Sequence, residues 1–460
     1  MASTRLSPRL ADWKKALINQ PNQIRQILDK YGSPVNLLNK ASFFENLKRY
    51  NEVFRELEVK GKVFYARKAN KSISLLEDTD KQNYGIDTAS YNEVKQSLNV
   101  GVKPENIVIT AAVKTKQLIE LALENNLLLI VDNEDELETI VEIAEGRRVI
   151  LGFRISGFEV NDAKLYSRFG VDIDNALGLI QEWLEKYENI EYRGLHFHLD
   201  GYDLDQRRKA LEDCLQLAES LPGTEFIDIG GGLLMNYLED QQEWENFERR
   251  LVKSLGDGDE EITYKRDGLG FEIHEGKVRG RLKTYPYYNQ RGSDEALRYI
   301  LSGFEEKLRS LDIEIRLEPG RSMLNQVGMT VAKVVHRKVD SKGDHHIGLE
   351  MNMTQMASGS ADFLLDPIVL YSDVQSNDEV EVYFTGAYCL ERDVLLKRKI
   401  KLDRLPSKGD LVIFPNTAGY MMHFFESQAH QFPLARNIFV DQEVGQFVFY
   451  PDPIDQTEIR

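Results

Sequence analysis

Short β-rich runs recur through the first 320 residues, each ending in a turn or small polar cluster and each followed by an amphipathic helical stretch. The runs lie at 62–68, 84–88, 106–110, 127–132, 148–155, 192–199, 225–230 and 314–318. Eight strands alternating with helices over about 250–280 residues is the arithmetic of an α/β chain folded as a (β/α)8 TIM barrel. The helical stretch from Lys114 supports this, because Leu118, Ile119, Ala122 and Leu123 fall on one face, as in a helix laid on a sheet. A doubly wound open sheet is the main rival, but the first strand is not followed by a glycine-rich dinucleotide turn.

One interval breaks the rhythm. About 80 residues separate the seventh and eighth runs, where a single helix would need only 20–30. Within it, 262–288 alternates around a central Asp267-Gly268 and is expected to form an inserted hairpin, a lid or specificity element overhanging the site face. After Gly320 the pattern changes to period-two runs without helices, which predicts a C-terminal antiparallel β-barrel or sandwich domain. The expected domains are a 41–320 barrel carrying an insertion at about 233–290, a 321–460 β domain, and a 1–40 segment joining that β domain through a strand at 33–38.

Composition narrows the function. A 460-residue chain with 42% hydrophobic and 29% charged residues is long enough for two globular domains. A net charge of -17 with no basic cluster argues against a nucleic-acid partner. Two cysteines, Cys214 and Cys389, point to a reducing compartment rather than a disulfide framework. The first residues lack the apolar core of a signal peptide, and no run reaches the roughly 20 apolar residues of a membrane span. A cytoplasmic protein with no membrane partner is expected.

The reactive residues gather at strand ends. Lys68 ends the first run, Asp87 lies in the second, Arg154 in the fifth, and His196 and His198 in the sixth. Gly230, Gly231 and Gly232 close the seventh, while Glu318 and Arg321 close the eighth. Barrel enzymes build their sites on that face. Each feature alone has an ordinary alternative: a solvated lysine, a flexible turn, an ion pair, core histidines. A lysine at a low-dielectric barrel mouth suits Schiff-base chemistry, and a glycine triplet there suits phosphate. His196 and His198 share a strand face, which raises a metal pair, although no further ligand set accompanies them and no metal is expected. His336, His345 and His346 receive no function.

In order, YARKAN at 65–70, GIDTAS at 85–90, GFR at 152–154, SRFG at 167–170, GLHFH at 194–198, IGGG at 229–232 and EPGR at 318–321 resemble the fold-type III pyridoxal-phosphate decarboxylases, the ornithine, diaminopimelate and arginine decarboxylase group. TGAYC at 385–389, Asp393 and AGY at 418–420 extend the resemblance into the second domain, so that it spans about 33–425. It implies pyridoxal 5'-phosphate (PLP) as cofactor, with Lys68 forming the Schiff base and His198 stacking on the ring. Asp87 and Arg154 would belong to the same cofactor site. Gly230–Gly232, Arg321 and Tyr420 would hold the phosphate. Glu318 would keep the pyridine nitrogen protonated, favouring the carbanion left when CO2 departs, whereas alanine-racemase relatives place an arginine there. Cys389 would enter from a second subunit near the protonation step, making the active unit a homodimer with shared sites, and Glu391 and Asp393 would face the substrate.

The chain also departs from that family. Diamine-type members carry an acid directly after the cysteine, where this chain has Leu390 and only then Glu391. The His-x-Gly-Ser of the family is here His198-Leu199-Asp200-Gly201, without the phosphate-contacting serine. The expected activity is therefore decarboxylation of an amino acid or amino-acid-derived biosynthetic intermediate, free or carrier-linked. A PLP racemase or epimerase is the alternative, and a metal-dependent hydrolase ranks last.

Overall fold

Eight of the β-rich runs become parallel strands that pair in chain order and close on themselves. They are β1 (Gly61–Ala66), β2 (Gly85–Thr88), β3 (Ile107–Ile109), β4 (Leu128–Val131), β5 (Val149–Ser156), β6 (Ile190–His196), β7 (Phe226–Asp228) and β8 (Glu314–Leu317). Each pairs with the next, β5 with β6 included, and β8 returns to β1 through Leu317 and Val63. The computed structural model describes residues 5–257, 260–359, 363–372, 378–443 and 445–456.

Packing inside the barrel explains where glycine stands. Phe64, Val108, Ile130 and Phe226 form a buried cluster. A Cβ on Gly85 would lie 2.3 Å from the Phe64 ring, and one on Gly194 would lie 2.4 Å from the Phe226 carbonyl. Aromatic side chains fill the interior, so their neighbours on β2 and β6 must be small. Arg316 lies 3.9 Å over the Phe226 ring and 5.0 Å from that of Phe64.

The helices after the strands start on side-chain caps. Ser90 accepts from Glu93 N, Thr115 from Leu118 N and Asn133 from Glu136 N, each satisfying an orphan first-turn donor. Helix Lys116–Asn125 buries Leu118, Ile119, Ala122 and Leu123, the face expected from its periodicity.

The chain divides into two compact units. One comprises Phe44–Leu234 and Arg291–Met323; the other gathers the residues up to Phe43, Met235–Gln290, and those from Leu324 onward. In the second unit, Val35–Leu38 pairs antiparallel with Gly328–Val339 and parallel with Arg436–Glu443. Its core includes Leu17, Ile24, Val35, Val331, Ile413 and Ile438. The sheet is mixed rather than wholly antiparallel, since His345–Leu349 also runs parallel to Val380–Thr385. Period-two alternation reports which face is buried but not strand direction.

The inserted segment packs on this mixed sheet within its own unit. Tyr264 N donates to Lys397 O at 2.8 Å, Lys399 N donates to Ile262 O at 2.9 Å, and the Tyr264 and Tyr383 rings meet edge-on at 5.5 Å. Its hairpin pairs Phe271–His274 with Lys277–Gly280, and the turn falls at Glu275-Gly276, not at Asp267-Gly268. Glu275 has φ 49° and Gly276 φ 72°, the doubly positive geometry of a tight two-residue hairpin turn. Asp267, with φ -57°, cannot take the first place in such a turn.

Candidate active site

The strand ends of the barrel hold three groups of side chains. In the first, Lys68 lies in the short 3-10 turn Arg67–Ala69 directly after β1, and its amine donates to Asp87 Oδ2 at 2.9 Å. The Lys68 side chain is 36% exposed and that of Asp87 0%, so the amine is reachable while its counter-ion is not. Thr110, at the end of β3, donates to Asp87 Oδ1. Burial, helped by nearby Glu318, pushes the Asp87 carboxyl above its usual range, and Lys68 and Thr110 oppose that push.

The second group is His196, Asp228 and Glu318, whose potential ligand atoms lie within 4.8 Å of one another in full burial. Strand register puts His196 opposite both Asp228 and Arg154. His196 Nε2 lies 3.4 Å from Glu318 Oε2, and Asp228 Oδ1 accepts from Gly230 N at 2.9 Å. Burial raises both carboxyls; the neighbouring Glu318 raises Asp228 further, whereas Lys68 and Arg154 pull Glu318 down. The upward push is the stronger on Asp228, so Glu318 is the readier of the pair to ionise. Burial and the Arg154 charge hold His196 neutral. Glu318 Oε1, Asp228 Oδ2 and His196 Nδ1 have no hydrogen-bond partner among the described residues.

The third group is the glycine turn after β7. Gly230 has φ 66° and Gly232 φ 84°. A Cβ on Gly230 would lie 2.6 Å from His198 Nδ1, and one on Gly231 would lie 2.6 Å from Glu318 O. No side chain fits there. Gly231 N donates to His198 Nδ1 at 3.3 Å, which leaves the ring proton of neutral His198 on Nε2. Burial, then the Lys68 charge, depresses the His198 pKa well below the usual imidazole value.

Arg154 lies beside these groups, 3.7 Å from Asp132 Oδ1 and 4.4 Å over the Phe169 ring. Gly170 N donates to that same Asp132 oxygen at 3.1 Å, which ties the SRFG segment to the end of β4. Arg321 follows the turn after β8 and is half-buried. The pair raised from sequence, His196 with His198, is not the cluster that forms; two carboxylates join His196 instead.

The remaining expected residues stand in the other unit. Cys389 is a free, exposed thiol, and Leu390 is 44% exposed. Leu390 and Glu391 border a cavity of about 500 Å³ that Tyr264, Lys265, Lys338 and Tyr388 also line. Tyr264 Oη donates to Glu391 O at 2.7 Å. Asp393 differs from its neighbours: its Oδ1 accepts from Met353 N and its Oδ2 from Tyr388 N, both at 2.7 Å. The carboxylate expected to face substrate thus accepts one backbone N–H from its own loop and one from the Met353–Met356 turn. Tyr420 has φ 69° and an edge-on contact with Phe424 at 5.8 Å.

Three contributors escaped the sequence reading: Thr110, Asp132 and Asp228. The first two stand at strand ends whose polar residues were not assigned. Asp228 was signalled by an acid inside the apolar run EFIDIG, since such burial is costly without a purpose.

A buried carboxylate with an unpartnered oxygen suits a pyridinium N–H, and a glycine turn without room for side chains suits a phosphate. The site thus fits PLP. Residues 40–264 match the family model described as pyridoxal-dependent decarboxylase, pyridoxal binding domain. The chain is 26% identical to the uncharacterised protein y4yA of Sinorhizobium fredii, over 98% of this chain and 94% of that one. It is 22% identical to diaminopimelate decarboxylase of Staphylococcus aureus, over 86% of each chain. The crystal structure of Helicobacter pylori diaminopimelate decarboxylase complexed with L-lysine superposes with a TM-score of 0.68 at 21% identity, covering 94% of this chain and 98% of that one. Over residues 40–264 the chain is similar to the pyridoxal-dependent decarboxylases, and along nearly its whole length it shares the fold of diaminopimelate decarboxylase.

Proposed function

We propose that this enzyme removes the α-carboxylate from an amino acid, or from an amino-acid-derived intermediate that is free or carrier-linked, with Lys68 as the amine that carries the cofactor. The observation that carries the reading is Glu318: a buried carboxyl group with one oxygen unpartnered, at the strand end next to Lys68's own, drawn toward ionisation by Lys68 and Arg154. PLP, when bound, would supply an electron sink for the pair left on Cα as CO2 departs.

The chain's own groups divide the remaining work. Glu318 would hold a proton on the pyridine nitrogen, with the more strongly raised Asp228 buried beside it. Asp87 holds the Lys68 amine at its post. His198 presents a neutral ring to the cofactor face, its Nδ1 fixed by Gly231 N. Gly230–Gly232 and Arg321 would receive the phosphate, and Arg154 draws Glu318 toward ionisation. Cys389, from a second copy of the chain, returns a proton to Cα, which makes the working unit a homodimer. The free state of Cys214 and Cys389 suits a cytoplasmic enzyme.

Leu390 shapes the choice of substrate. An apolar side chain gives a distal ammonium no partner at that place, so lysine, ornithine and diaminopimelate are disfavoured against substrates with an uncharged distal end.

Borohydride reduction of the PLP-loaded protein followed by peptide mapping is the direct test. A pyridoxyl label on Lys68 is expected, with CO2 released from at least one member of a panel of L- and D-amino acids and their carrier-linked forms. A label on another lysine would overturn the assignment. Solvent deuterium entering Cα with the carboxylate retained would favour racemisation, and a stoichiometric divalent metal at His196, Asp228 and Glu318 would favour hydrolysis.

A further inference from the structure

Arg207 lies in the first turn of helix Leu204–Glu219 and is 1% exposed. Its guanidinium donates to Gly231 O and Gly201 O, both at 3.0 Å, and to Asp203 O at 3.4 Å. Nε has no partner, and no carboxylate among the described residues forms an ion pair with this side chain. Burial lowers its pKa to about 10, with Asp203 opposing, so the group stays charged at neutral pH. A buried cation held only by neutral carbonyls is costly unless an anion joins it.

The geometry says where that anion would sit. A Cβ on Gly232 would lie 2.2 Å from the guanidinium, so the arginine presses against the glycine turn itself. In a planar trans peptide the C=O and the following N–H point in opposite directions. Arg207 draws the Gly231 carbonyl toward the helix and thereby turns Gly232 N–H to the other side, where no protein acceptor among the described residues receives it. The Gly201 carbonyl is held in the same way, in the Asp200-Gly201 step that stands where relatives have Gly-Ser.

We infer that Arg207 is a positioning residue for a phosphate monoester on the glycine turn, fixing the Gly231–Gly232 peptide and supplying a buried positive charge in place of the absent serine. This rests on the reading that the PLP phosphate occupies that turn.

The test compares PLP with pyridoxal, which lacks the phosphate, by titrating the apoprotein and following intrinsic fluorescence. Arg207→Gln is expected to weaken PLP binding by roughly 30-fold, the scale of a lost charge-assisted contact, while pyridoxal binding changes by about 3-fold or less. Inorganic phosphate should raise the melting temperature of the wild-type apoprotein more than that of the variant. An equal loss for both ligands would overturn the inference. Should the glutamine variant fail to accumulate, Arg207→Lys carries the test: it keeps charge but loses the two-pronged grip, so the PLP-to-pyridoxal preference should fall by about 5-fold. An unchanged preference overturns the inference. Wild-type protein that binds PLP no tighter than pyridoxal would instead defeat the placement of phosphate on the turn.

Discussion

Lys68 and Asp87 form a hydrogen-bonded pair at 2.9 Å in which only the lysine is reachable from solvent. The aspartate is there for the lysine rather than for the fold, because burial holds its carboxyl above the ordinary range. A carboxyl raised in the folded state contributes stability below its unfolded value and loses it as pH rises through the folded one.

Asp87→Asn keeps the shape and removes that cost. Melting curves of the apoprotein should show the variant gaining on wild type as pH rises from about 4 to 7, while cofactor loading at neutral pH falls. A gap that is constant or widens against the variant over that interval would sink this account.

Glu318→Gln tests the buried charge. The amide fills the same space but cannot balance a protonated ring nitrogen, so kcat should fall by roughly two to three orders of magnitude while bound cofactor stays near stoichiometric. Steady-state kinetics with cofactor quantified by absorbance separates the two effects. A kcat within about 3-fold of wild type would remove Glu318 from the reaction.

Asp228 is expected to act as a neutral acid. Its Oδ1 accepts from Gly230 N, and its carboxyl lies well above the ordinary range through burial and the Glu318 charge. Asp228→Asn imitates the protonated form and should leave apoprotein stability within ~1 kcal/mol. Asp228→Ala strands the Gly230 N–H and should cost about 1–3 kcal/mol. Denaturant titration decides it, and an asparagine variant as unstable as the alanine one would show that the group is ionised.

The sequence carried the barrel because its signals are local: each strand is a short apolar run, and each helix shows its buried face, as Leu118, Ile119, Ala122 and Leu123 do. Lys68, Asp87, His196 and Glu318 were legible because barrel strands deliver their ends to one face. What was hidden depends on contacts distant in sequence. Arg207 has the same neighbours as a solvated arginine until Gly231, 24 residues later, turns its carbonyl toward it. Asp393 takes a backbone N–H from Met353 and from Tyr388, the first of them 40 residues away and so not visible in the local pattern. The parallel pairing of His345–Leu349 with Val380–Thr385 is likewise set by a crossover that no local pattern records.

Leu390 offers the sharpest test of substrate choice. It is exposed beside Cys389 and borders the same cavity as Glu391, so a shorter acid can replace it without disturbing a core. Leu390→Asp restores an acid directly after the cysteine, the place at which diamine-type members of the family carry one. A distal ammonium would then gain a charge-assisted partner, and kcat/KM for L-lysine or L-ornithine should rise by roughly 10-fold, while turnover of substrates with an uncharged distal end falls. The gain should appear mainly in KM, because the new contact is made equally in the ground and transition states. Competition assays for CO2 release from paired substrates would read it directly. If Leu390→Asp leaves the preference unchanged, Glu391 is the acid that faces substrate, and Glu391→Gln should then abolish whatever preference for cationic substrates the wild-type enzyme has.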